Sequence, residues 1–138
     1  MPNEELVAAV KIIIGQAKAG KVDESYVGYA QLFSSAAFKG YPEADQRQAL
    51  KLMILAKGIP TFPSPAIAAA HKSALVPIQA LVAAHDEPAD YELLGLCFVR
   101  VGDEASARTA FQRGLELERA RNSQSPLCGT LMKWVASV

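Results

Sequence analysis

One stretch of the chain has residue types and spacing close to those of a phosphate-binding loop. Gly15-Gln16-Ala17-Lys18-Ala19-Gly20-Lys21-Val22 follows G-x-x-x-x-G-K-[S/T] up to its last position. Such a loop turns backbone amides onto phosphate oxygens, and the hydroxyl after the lysine ligates Mg²⁺. Val22 carries no hydroxyl, and no second strand ending in an acidic metal partner follows. The apolar run Val10-Lys11-Ile12-Ile13-Ile14 ahead of it can be read as a strand. The preferred reading is a helix that ends at Gly20, in parallel with Val101-Gly102-Asp103. A nucleotide-binding protein built on Gly15–Val22 stays as the alternative from another functional class.

Other chemistry finds less support. His71 and His85 are the only histidines, and Cys97 and Cys128 the only thiols. None of them has the close spacing of a metal-binding C-x2-C or H-x3-H pair. His85-Asp86-Glu87 could hold a metal weakly, but a solvated helix end accounts for it better, since histidine suits the negative pole of a helix. Cys97 falls on an apolar stripe and reads as core. Ser34-Ser35 and Ser73 lack any nucleophile context. The carboxylates read as solvated helix surface. The expectation is therefore no catalytic residue, no metal and no cofactor: a protein that is not an enzyme.

The elements that would position these residues are helices. The chain is alanine-rich, and 51% hydrophobic against 20% charged residues fits a folded chain rather than a disordered one. Its 138 residues make one domain, 1–138. Leu6, Val10, Ile13 and Ala17 share one helical face; Val22, Tyr26, Tyr29, Phe33 and Ala37 form a second stripe. Leu50, Met53 and Ile54 mark a third, and Ala107, Ala110, Phe111, Gly114 and Leu115 keep the three–four spacing closely. No alternation of period two supports a sheet. Asn3, Asp23, Ser64 and Asp103 can cap helices; Pro42, Pro65, Pro88 and Pro126 suit first turns. Glycine- and proline-bearing breaks then divide the chain into about seven helices. Pro77 predicts a kink or a split near Ser73, whose carbonyl loses its amide partner.

One segment, 88–121, carries a recognisable pattern: Tyr91-x2-Leu94-Gly95-x2-Phe98, then Gly102, then Ala107-x3-Phe111-x2-Gly114. It resembles the tetratricopeptide repeat (TPR), with Arg119 standing where that family usually has proline. Gly95 and Ala107 are small where two antiparallel helices approach, and Phe98 and Phe111 are large where they fill the space beside the crossing. Gly20 and Gly58 take the role of Gly102 in two degenerate pairs. These turn glycines lie 38 and 44 residues apart, against ~34 in the regular repeat. The last helix, with Leu127, Leu131, Trp134 and Val135 on one face, looks like the extra helix that covers the end of such a stack.

The resemblance implies an all-α fold of antiparallel helix pairs stacked as a right-handed superhelix, with first helices lining a concave groove. That groove would present Lys18 from the first pair, Gln48, Leu52 and Leu55 from the middle one, and Glu92, Leu96, Val99 and Arg100 from the third. Such a mixture suits an amphipathic helix or an extended peptide. Val10 and Ile14 occupy positions where heat-shock-binding relatives carry clamp residues, so that clamp is not expected. The functional expectation is a non-catalytic protein–protein interaction module, an adaptor or scaffold. A small secretion or assembly chaperone is the more specific version, and a homodimer through the Trp134 stripe a third possibility. Fourteen basic residues balance fourteen acidic ones, so no nucleic-acid partner is expected. Apolar runs are short and Glu4 and Glu5 stand near the start, so no membrane insertion and a cytoplasmic setting are expected.

Overall fold

The computed structural model describes residues 3–138, which form seven α-helices and no strand. They are α1 (Glu4–Lys18), α2 (Val22–Ser34), α3 (Glu43–Ile54), α4 (Pro65–His85), α5 (Pro88–Arg100), α6 (Glu104–Asn122) and α7 (Pro126–Ser137), with a 3₁₀ turn at Phe38–Gly40 between α2 and α3. The starts follow the capping chemistry. Asn3 Oδ1 accepts the Leu6 amide at 3.1 Å, Ser64 Oγ that of Ile67 at 3.3 Å, Asp103 Oδ1 that of Ser106 at 3.1 Å and Ser125 Oγ that of Cys128 at 3.4 Å. Asp23 departs from expectation. It lies inside the first turn of α2, and its carboxylate accepts the Ser64 hydroxyl at 2.9 Å. Pro42 precedes α3 instead of opening it.

α1 and α5 stop in the same way. Gly20 and Gly102 adopt φ of 83° and 86°, a region that costs other residues energy. The next amide closes back over each helix end, Lys21 N–H to the Gln16 carbonyl and Asp103 N–H to that of Phe98, both at 2.9 Å. These turns fold α2 onto α1 and α6 onto α5. α5 and α6 pack along their length, as do α2 and α4. A methyl group on Gly95 would lie 2.3 Å from Phe111 Cε1, so only glycine leaves room for the ring. Phe111 is fully buried and stacks on Trp134 of α7 with ring centroids 5.9 Å apart. Phe98, expected beside it, is only half-buried and lines a shallow furrow between α5 and α6.

The middle of the chain differs from a row of equal hairpins. α3 and α4 barely touch; α4 packs along α2 and then against α5. The cause is the connection, Leu55 to Ser64, which carries Pro60 and Pro63 and is anchored on α2 by the Ser64–Asp23 bond. α4 runs unbroken through Pro77, whose ring is buried, so the expected split does not occur. α4 is also the one helix among the described residues long and apolar enough to cross a membrane by length and composition, with a mean hydropathy of 1.4. Here its stripe Ile67, Ala70, Ala74, Ile78 and Leu81 packs on protein. All seven helices contribute to a single core.

Candidate partner-binding groove

α1 and α3 lie side by side without close backbone approach, and a cleft runs between them. Leu6, Val10, Gln48, Ala49 and Leu52 line its narrow part, of about 190 Å³. At Leu52 it widens into a recess of about 500 Å³, walled by Ile14, Ala17 and Lys18 of α1, Tyr26 of α2, Met53 and Ala56 at the α3 end, and Lys57 beyond it. From Leu6 to Lys18 the α1 wall rises about 18 Å, some three helical turns. Val7 and Leu52, 36% and 40% exposed, stand on this rim.

The expected groove residues divide. Lys18, Gln48 and Leu52 lie on the cleft. Leu55 and Val99 are exposed, but neither lines it. The other α5 residues face inward or are engaged. Leu96 is core, 4% exposed. Glu92 accepts the Trp134 indole N–H at 2.9 Å. Trp134 is thereby held against α5 and α6 instead of offering an exposed stripe for self-association. Arg100 points into the protein. Lys57, which belongs to the recess, sits in a loop of irregular length whose place no local pattern predicts.

Arg100 belongs to a buried polar cluster that ties α3, α4 and α5 together. Its guanidinium donates to the Ile54 carbonyl at the end of α3 and, at 3.1 Å, to His71 Nε2. His71 is fully buried in α4. Its Nδ1 lies 2.7 Å from the Ile67 carbonyl, which can only accept, so Nδ1 carries the proton and Nε2 is the acceptor for Arg100. Burial is the main reason that His71 titrates at about 4 instead of 6.5, with the Arg100 charge adding to it. Between these values the unfolded chain takes up a proton that the folded chain refuses. Stability should therefore fall as pH drops from about 6.5 to 4, by about 3 kcal/mol in full. Urea melts across this range check it: His71→Gln should remove that part of the slope, and an unchanged slope would refute the assignment.

A second tie holds the other end of α3. Arg47 grips Asp90 of α5 with both Nε and Nη2, at 2.7–3.1 Å, and also pairs with Glu43. Asp90 is 1% exposed, against the expectation that carboxylates lie on solvated faces. The signal was its register: Asp90, Leu93, Leu94 and Cys97 form one stripe, as do Ile67, His71, Ala74 and Ile78.

The stretch Gly15–Val22 has no phosphate-loop geometry. Val10 to Lys18 is helix, and the amides of Ala19, Gly20 and Lys21 are spent on the carbonyls of Gly15, Ala17 and Gln16. The three residues His85-Asp86-Glu87 do not converge. His85 faces Glu43 at 2.9 Å, Asp86 accepts from Tyr91 and Arg113, and Glu87 accepts from Arg121. Cys97 is buried, which pushes its thiol up to about 12 and keeps it protonated. No protein-family model, curated protein or solved structure matches the chain.

Proposed function

We propose that this chain is a non-catalytic interaction scaffold that takes an amphipathic helix of a partner protein into the α1–α3 cleft. The carrying observation is the cleft itself: about three turns long, mostly apolar in its walls, with Val7 and Leu52 exposed on its rim. A helix laid there would bury an i, i+4, i+7 stripe, the usual means by which a groove recognises a helix. The Gly95–Phe111 crossing and the matching ends at Gly20 and Gly102 support a TPR-like reading of the stack.

The test is selection from a displayed library of 14-residue amphipathic helices. The wild-type protein should enrich peptides with one apolar stripe. Leu52→Glu should abolish enrichment with little change in melting temperature, because that side chain already meets water. Leu96→Glu should unfold the protein, because that one does not. No enrichment by wild type, or equal enrichment by Leu52→Glu, would reject the groove.

A further inference from the structure

The recess at the wide end of the cleft has a one-sided charge. Lys18 and Lys57 stand on its walls, and no acidic residue lines it. Both ammonium groups are exposed, and neither has an ion-pair partner among the described residues. Glu24, nearby in sequence, lines a separate hollow between α1 and α2. Asp23 accepts the Ser64 hydroxyl, and Asp45, in the narrow part of the cleft, accepts the Asn3 amide at 3.0 Å. Placement at a helix end accounts for Lys18, the last residue of α1, since cations suit that pole. It does not account for Lys57, three residues beyond the end of α3.

We infer that the partner helix is acidic at the end that enters the recess, with Asp or Glu side chains reaching Lys18 and Lys57 while its apolar stripe lies along Ile14 and Leu52. The inference rests on the groove reading above and adds a polarity to it. A basic helix would bring like charges onto two cations with no counter-ion in the recess, so the lysines select against it as well as for an acidic one. Because both are solvated, their contribution is salt-sensitive and acts on preference more than on the existence of binding.

Two synthetic 14-residue peptides separate the claims. Both carry the same leucine stripe; one has glutamates and the other lysines over its terminal turn. Fluorescence anisotropy at low salt should show the acidic peptide binding about tenfold tighter, two exposed pairs changing from attraction to repulsion. The gap should narrow as salt is raised. Lys18→Glu/Lys57→Glu should invert the preference without lowering the melting temperature. Equal binding of both peptides by wild type would overturn the charge selection and leave the groove standing. Binding of neither would sink both. A concentration-dependent dimer that is broken by Leu52→Glu and excludes peptide would assign the groove to a second copy and overturn the proposal.

Discussion

Arg47→Ala should destabilise the protein by about 3–5 kcal/mol, the range for stranding one member of a buried ion pair. The loss falls on Asp90, which is 1% exposed and receives three hydrogen-bond contacts from that one guanidinium. Without them a carboxylate stays in the core with no counter-charge, and α3 keeps only the Arg100–Ile54 tie to α5. Asp90→Asn should cost less, because it removes the buried charge while keeping an acceptor. Replacing the pair by Met and Leu should recover most of the loss, since the desolvation penalty disappears with both charges. Urea denaturation at low salt measures all three. A value under about 1 kcal/mol for Arg47→Ala would mean that water reaches Asp90, and with it that α3 is not held as described.

The second large effect is at the α5–α6 crossing. Phe111→Ala should lose about 3–5 kcal/mol, for a fully buried ring leaves a cavity that its neighbours close only in part. Trp134 would lose its stacking partner, so the docking of α7 should loosen too. Gly95→Ala probes the same contact from the other side. Its methyl would lie 2.3 Å from the ring, an overpacking of about 1–3 kcal/mol, partly offset by up to ~1 kcal/mol of helix propensity. The double variant Gly95→Ala/Phe111→Ala should cost clearly less than the sum, because the new methyl enters space that the ring vacated. Strict additivity in thermal or urea melts would show that the two residues do not touch.

Both effects bear on legibility. The close approach of α5 and α6 at Gly95 was readable because it is local; that Phe111 is the ring seated on Gly95 was not. Two helices joined by a short turn must cross near it, and small residues with large ones beside them mark the place. The same locality made the ends at Gly20 and Gly102 and the caps at Asn3, Ser64 and Asp103 readable. The partners of Arg47 and Arg100 were not. Each binds a residue more than forty positions away, and an arginine on a helix looks alike in sequence whether it faces water or a neighbouring carbonyl. Asp90 and His71 left a partial trace, a polar residue in register with an apolar stripe. That register reports burial and says nothing of the partner.

By itself, then, the sequence determined the helical class, most helix ends to within a few residues (α2 stops at Ser34, short of Ala37 on its expected stripe), and the one hairpin whose packing is written in small and large residues. Periodicity, capping and turn chemistry act over a few residues, so they are present in any short stretch of chain. The tertiary structure alone decided that α4 leaves α3 for α2, that Leu96, Glu92 and Arg100 turn away from the groove, and that Lys57 joins it. Those outcomes depend on which distant surfaces exclude water together, and no local pattern encodes that choice.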